Sequence, residues 1–148
     1  MKDFNLAIYY YYLKLIKLKF KNILTFEDIF NLKSYPNVFC ILRHDVDRFP
    51  FRALNMAILE NRLGFRSSYY FRAKYVSFDS NIIKKIKRLG HEVGYHYECL
   101  SDSRGDMDWA LQIFKNNLEK FRKIVPIKTI SMHGKPMSEY DNRDMWQY

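Results

Sequence analysis

The chain has 148 residues, of which 48% are hydrophobic and 28% are charged, as in an ordinary globular domain. Its 12 Tyr, 12 Phe and only 5 Gly exclude a disordered or collagen-like chain, because so many aromatic side chains bury enough surface to offset ordering. The net charge of +9 favours polyanionic partners, but the basic residues are spread out rather than gathered in an aromatic groove, so no specific nucleic-acid partner is predicted.

Cysteine number and apolar run lengths bear on the compartment. Two cysteines are too few for the disulfide framework of a small secreted domain, so we expect two reduced thiols. No apolar run reaches the roughly 20 residues that a membrane-spanning helix needs. Lysines interrupt the apolar stretch near the N-terminus, which argues against a signal peptide. The sequence therefore predicts a cytoplasmic protein without a transmembrane segment.

Residues 1–37 are predicted to form a helical segment that packs on the rest of the protein. Apolar residues recur at three- and four-residue steps from Leu6 to Phe20, and lysines share another face. This amphipathic helix either packs on the domain with its lysines in water or lies on a membrane or nucleic acid, and we favour the first. A helix-start signal beginning at Thr25 predicts a short second helix.

From residue 38 onward, strand-like segments alternate with helical segments. The strands are predicted over 38–42, 65–71, 91–96 and 127–132, and the helices over 50–63, 82–89 and 109–124. Short links between alternating strands and helices give consecutive βαβ units, which require a parallel sheet. Residues 38–148 are therefore predicted to form one α/β domain.

Side chains that bind metal ions lie at the ends of three of the four predicted strands. Asp45 and Asp47 follow the first strand, His96 ends the third and His133 follows the fourth. The carboxyl ends of parallel strands meet at one rim, where ligands bind. Mixed carboxylate and imidazole ligands suit Zn²⁺ or a similar divalent ion. The sequence predicts a metal site at this rim; alternatively, the carboxylates cap the next helix or pair with arginines.

The two aspartates predict a division of labour. Asp45 and Asp47 are two residues apart, so in extended backbone they share a face, with about 6 to 7 Å between their Cα atoms. A metal-bound carboxylate loses basicity, whereas its unbound neighbour still accepts a proton from water. His44 is expected to point to the opposite face. His91 begins the strand that His96 ends, so we interpret it as a packing or surface residue.

Three segments resemble motifs of the polysaccharide deacetylase-like proteins. They are Leu-Arg-His-Asp-Val-Asp at 42–47, Gly-His-Glu-Val-Gly-Tyr-His-Tyr-Glu at 90–98 and Ile-Ser-Met-His-Gly at 130–134. The resemblance runs from about residue 38 to the end, and the first two motifs are fairly specific in combination. It implies part of a distorted (β/α) barrel that hydrolyses N- or O-acetyl groups on sugar polymers with a divalent metal, expected to be zinc.

The resemblance also implies roles for the two aspartates. The family motif is commonly Thr-Phe-Asp-Asp, whose first Asp is the base and whose second is a metal ligand. Asp45 would then be the catalytic base and Asp47 the ligand, although the spacing here is Asp-x-Asp and the reverse assignment stays open. Arg72, at the end of the second predicted strand, is expected to contact the substrate.

The histidines match the family pattern only in part. His96 corresponds to the first of two ligand histidines in the second motif, but Leu100 stands in the place of the second. Either His133 or Glu98 completes the ligand set, or the site is degenerate. We expect His133, because a strand end reaches the rim of the sheet.

The implied function is a metal-dependent hydrolase that removes acetyl groups from a carbohydrate polymer or oligosaccharide by cleaving amide or ester bonds. The alternative is a non-catalytic remnant that binds carbohydrate or protein, because the family's later motifs, including a general-acid histidine, have no counterpart before Tyr148. The chain is accordingly expected to be truncated. Four βα units would leave one sheet edge open, which a second copy in a homo-oligomer or a missing segment would cover.

Overall fold

A computed structural model describes residues 5–147 as a mixed α/β structure. Its strands are β1 (Ile23–Leu24), β2 (Cys40–Ile41), β3 (Arg43–Val46), β4 (Ser68–Phe71), β5 (Glu92–Tyr97) and β6 (Ile130–Met132). Its α-helices are α1 (Leu6–Lys19), α2 (Phe26–Asn31), α3 (Pro50–Arg62), α4 (Ser80–Arg88), α5 (Cys99–Asp102) and α6 (Met107–Arg122), and a 3-10 helix covers Asn142–Trp146.

The strands form two parallel sheets. The smaller sheet pairs β1 with β2, and the larger has the order β3-β4-β5-β6. Asp45 on β3 is paired with Tyr70 on β4, and His96 on β5 is paired with Ser131 on β6. All neighbours run in the same direction, so the carboxyl ends of these four strands lie along one edge. The predicted α/β class with parallel strands is confirmed.

The structure divides the predicted first strand from the strand that joins the large sheet. Within the predicted range 38–42, Cys40–Ile41 form β2, which pairs with β1, whereas the residues that pair with β4 are Arg43–Val46 of β3. The apolar run does not mark β3, because that strand alternates between exposed and covered side chains. Asp45 therefore lies within the strand, and Asp47 directly follows it.

Helix boundaries follow local signals in the sequence. Thr25 and Asp28 form a reciprocal capping box at the start of α2, as the helix-start signal predicted. Gly64 after α3 and Gly90 after α4 have φ angles of +78° and +89°. These left-handed conformations suit glycine, because it has no Cβ to clash with the backbone.

Some short elements were not predicted. Strand β1 has two residues and helix α5 has four, which is too short for an apolar period to be recognised. The 3-10 helix is joined to α5 by Asn142, whose side chain accepts from the Ser101 backbone N–H at 3.0 Å. Tertiary contacts therefore hold this segment beside the carboxyl edge of the sheet.

The main core lies between the large sheet and helices α3, α4 and α6, with Tyr69, Tyr95 and Phe121 among its buried side chains. A smaller cluster attaches α1 to the rest of the structure through Tyr9, Leu13 and Phe65. Among residues 5–147, no helix has both the length and the apolar character needed to cross a membrane.

Candidate metal centre

Asp47, His96 and His133 converge at the carboxyl edge of the large sheet. One potential ligand atom from each residue lies within 4.8 Å of the other two. The Asp47 Oδ1 atom is 3.4 Å from His133 Nε2 and 3.8 Å from His96 Nε2. No other group of His, Cys, Asp and Glu in the described part of the chain meets this geometry. The structure thus brings together the three residues that the sequence analysis named as ligands.

Polar atoms in and beside this cluster are left without hydrogen bonds. Within residues 5–147, Asp47 Oδ1 and His133 Nδ1 are buried and have no hydrogen-bond partner. An unsatisfied buried polar atom costs roughly 1 to 3 kcal/mol, and more when it is charged. A divalent cation would satisfy Asp47 Oδ1. One carboxylate and two imidazoles are a donor set that fits zinc and leaves a fourth position for water or substrate.

The backbone orients His96 for metal binding. Its Nδ1 lies 3.1 Å from the carbonyl oxygen of Ser131, and because a carbonyl only accepts, Nδ1 must carry the proton. The lone pair of Nε2 is then directed toward Asp47. Burial lowers the pKa of His96 despite the nearby carboxylates, which keeps the ring in the neutral form that binds metal ions.

Glu98 lies on the far side of His133 from Asp47. Its Oε2 atom is 3.5 Å from His133 Nδ1, whereas His133 Nε2 faces Asp47. This resembles the arrangement in which a carboxylate supports a histidine that binds a metal through its other nitrogen. Of the two alternatives for the third ligand, the structure brings His133 into the three-residue cluster and places Glu98 behind it.

Arg72 is placed against Glu98. Its Nε and Nη2 atoms donate to Glu98 Oε1 at 2.7 and 2.5 Å, and Lys74 Nζ lies 3.8 Å from the same oxygen. Only 16% of the Arg72 side chain is exposed. Arg72 therefore compensates the buried charge of Glu98, and the structure does not bring it into the metal cluster. Contact between Arg72 and substrate stays a prediction.

Asp45 lies beside the cluster and is held by an arginine. Its Oδ2 atom is 3.8 Å from His96 Nε2. Arg43 donates to both carboxylate oxygens of Asp45, at 2.8 and 2.9 Å, and to Ser131 Oγ at 2.6 Å. Sequence analysis considered arginine pairing only as an alternative for the aspartates. The Arg-x-Asp spacing on an extended strand was the signal for this pair, because such residues share a face.

Two cavities flank the site. One of about 390 Å³ is lined by the segment after β6, including His133, Lys135 and Tyr140. The other, of about 330 Å³, is lined by Asp45, by Arg48 just before α3 and by Arg52 in its first turn. Both cavities include a residue of the candidate site, so they offer space for a substrate on either side of it.

No protein-family model, curated protein or solved structure matches the chain. The chemistry of the cluster is therefore the basis for a functional conclusion. Three side chains that converge without satisfying one another are suited to a divalent cation, and Asp45 adds a proton acceptor next to them.

Proposed function

We propose that this protein is a hydrolase that uses a divalent metal ion, expected to be zinc, to remove acetyl groups from carbohydrate. The convergence of Asp47, His96 and His133 beside Asp45 carries the proposal. Acetylated carbohydrate is favoured because each of the three motifs that resemble polysaccharide deacetylase-like proteins contributes at least one residue to this site.

A partial distorted (β/α) barrel is the fold that goes with this proposal. Arg43 on β3 donates to Ser131 on β6 at 2.6 Å, although two strands lie between β3 and β6 in the sheet. Four strands in a flat sheet would hold the outer two roughly 14 Å apart, at about 4.8 Å per strand. The side-chain contact therefore supports a strongly curved sheet, as barrel closure requires.

Asp47, His96 and His133 are the residues that would hold the metal. A divalent cation at this position supplies Lewis acidity, which polarises an acetyl carbonyl and lowers the pKa of water. The two histidines present their Nε2 atoms, because Nδ1 of His96 donates to the Ser131 carbonyl and Nδ1 of His133 faces Glu98. Asp47 contributes the negative charge that offsets part of the charge of the ion.

Asp45 accepts a proton from the attacking water in this proposal. It is not one of the three clustered residues, so its carboxylate remains available as a base. The bidentate contact with Arg43 fixes the plane of the carboxylate, while Oδ2 stays 3.8 Å from His96. A base held in this way contributes typically about 10²- to 10⁴-fold to the rate.

Zinc titration tests the metal site directly. After treatment with a chelator, the chain is expected to bind one equivalent of Zn²⁺ in calorimetry, and Asp47→Ala or His133→Ala to abolish tight binding. Asp108→Ala is the matched control, because Asp108 is an exposed carboxylate on α6. Unchanged stoichiometric binding in Asp47→Ala would contradict the proposed ligand set.

A second candidate function is carbohydrate binding without catalysis. Leu100, which stands in the place of a ligand histidine in the family pattern, is buried in the core. Acetate release from an N-acetylglucosamine oligomer separates the two functions. Zinc-dependent release that Asp45→Asn abolishes supports the hydrolase, whereas oligomer binding without release supports the second candidate.

A further inference from the structure

Helix α1 exposes apolar side chains on the face that points away from the domain. Tyr9 and Leu13 are buried, whereas Tyr11, Leu15 and Leu18 are 63%, 44% and 85% exposed. The three exposed residues follow one another at steps of four and three, so they share one face of the helix. A helix that is apolar on opposite faces is normally covered on both. Among residues 5–147, nothing covers this outer face as its composition requires.

Lysines border this outer face. Lys14 and Lys19 are exposed, and Lys21 follows the end of the helix. Lys17 differs, because its ammonium donates to the carbonyl oxygen of Leu63 at the end of α3, at 2.6 Å. Helix α1 contains no acidic residue. The surface thus combines an apolar centre with a basic border to which the helix itself contributes no acidic residue.

We propose that this outer face, formed by Tyr11, Leu15 and Leu18 with Lys14 and Lys19, docks on an anionic lipid bilayer. Aromatic and aliphatic side chains enter the boundary between headgroups and acyl chains, and lysines bind acidic headgroups. The 14-residue helix is about 21 Å long, too short to span the bilayer, and its other face is attached to the domain. The helix therefore lies in the plane of the interface.

Charge and apolarity together select a bilayer over other occupants. A second copy packed through the same face would bring two basic helices together, which like-charge repulsion disfavours. Nucleic acid would neutralise the lysines but offers little apolar surface to cover Leu15 and Leu18. An anionic membrane satisfies both the apolar centre and the basic border, and this docking does not depend on the proposed hydrolase activity.

Sedimentation with phosphatidylcholine vesicles, with and without phosphatidylserine, tests the charge requirement on the full chain. We expect binding that phosphatidylserine strengthens. Lys14→Gln with Lys19→Gln should weaken binding about 25-fold, at about fivefold for each lysine. The matched control, Lys84→Gln with Lys85→Gln on α4, removes the same charge from another exposed helix and should change binding less than about twofold. Equal losses in the two pairs would overturn the proposal, since net charge alone would then explain binding.

The apolar requirement is tested by Leu15→Gln with Leu18→Gln. Both side chains are exposed, so the thermal unfolding of the free protein should not change, while vesicle affinity should fall at least about tenfold. Tyr75→Gln, at an exposed position in a loop, should leave vesicle affinity unchanged. Absence of wild-type binding to anionic vesicles overturns the proposal. So does a wild-type dimer in sedimentation equilibrium that the leucine variant converts to monomer, because a second copy would then cover this face.

Discussion

Two clusters in this molecule each combine a carboxylate with two histidines, and they differ in how their polar atoms are satisfied. One consists of Asp47, His96 and His133 at the carboxyl edge of the sheet. The other is centred on Glu60, a fully buried residue of α3 that contacts His44 and His91. The two clusters lie on opposite faces of β3, because neighbouring side chains of a strand point to opposite faces. His44 contacts Glu60, and the adjacent Asp45 lies beside His96.

The Glu60 cluster is saturated by hydrogen bonds within the protein. Glu60 Oε1 accepts from the Tyr9 hydroxyl and lies 2.6 Å from His44 Nε2, and Oε2 accepts from the Tyr69 hydroxyl at 2.7 Å. Both ring nitrogens of His91 contact backbone groups, one accepting from an N–H and the other bonded to a carbonyl. In contrast, Asp47 Oδ1 and His133 Nδ1 have no hydrogen bond among the described residues.

The difference shows that residue types alone do not define a metal site. Where protein donors and acceptors already occupy the lone pairs, as around Glu60, a carboxylate and two histidines stabilise the fold. Around Asp47, by contrast, the ligand atoms of three side chains converge and Asp47 Oδ1 accepts no hydrogen bond among the described residues. Its lone pairs therefore remain available to a ligand.

The largest expected effect is on catalysis and concerns Asp45, the proposed base beside the Asp47 cluster. Asp45→Asn should lower acetate release about 10²- to 10⁴-fold, because the amide cannot accept the proton. Zinc binding should persist, since Asp45 is outside the ligand set. Release assays paired with zinc calorimetry check both results, with Asp108→Asn as the control. Loss of zinc binding in Asp45→Asn would instead support the reversed assignment of the two aspartates.

Neutralising Glu60, the central carboxylate of the saturated cluster, should lower the stability of the folded protein. Glu60→Gln is expected to lower the free energy of unfolding by about 3 kcal/mol, because His44 loses the charged partner that it contacts at 2.6 Å. Urea denaturation measures this change. In metal-free protein, Asp47→Asn should be neutral or stabilising, because the Asp47 side chain is 46% exposed and its Oδ1 has no hydrogen bond among the described residues to lose. Equal destabilisation by the two variants would remove the distinction between the clusters.

Metal should stabilise the folded chain through only one cluster. At a free zinc concentration about 100 times the dissociation constant, the free energy of unfolding should rise by about 2.7 kcal/mol. Asp47→Asn should abolish this gain, whereas Glu60→Gln should retain it. Thermal melts with zinc and with chelator measure this gain in stability. Loss of the gain in Glu60→Gln would contradict the prediction, because it would indicate that the ion binds at the Glu60 cluster.

The smallest expected effect is a pH dependence that originates at Glu60. Burial alone raises the pKa of Glu60, but His44, Tyr9 and Tyr69 lower it by more, so its folded-state pKa lies below the ordinary value of 4.5. A carboxyl whose pKa is lowered by folding adds stability above its unfolded pKa and loses it as pH falls through the folded value. Unfolding free energies measured from pH about 6 down to about 3.5 should fall more steeply in wild type than in Glu60→Gln, and parallel curves would contradict this origin.

Several local features could be predicted because their causes are local. The capping residue Thr25 and the left-handed Gly64 act on adjacent backbone, so the helix ends were identifiable. The strand next to β4 was placed too early, at residues 38–42, since the apolar run stops before the pairing with β4 begins at Arg43. The curvature that brings Arg43 to Ser131 has no local sign, because it depends on the whole sheet.

The sequence by itself determined the α/β class and the rim where Asp45, Asp47, His96 and His133 were expected, because strand and helix periods dictate parallel crossovers and crossovers align strand ends. Only the tertiary structure decided between His133 and Glu98 as the third member of the Asp47 cluster. Only the tertiary structure also showed that Glu60 and two histidines form a second cluster, whose hydrogen bonds stabilise the fold. Hydrogen-bond saturation depends on distances between residues far apart in the chain, and no local pattern encodes those distances.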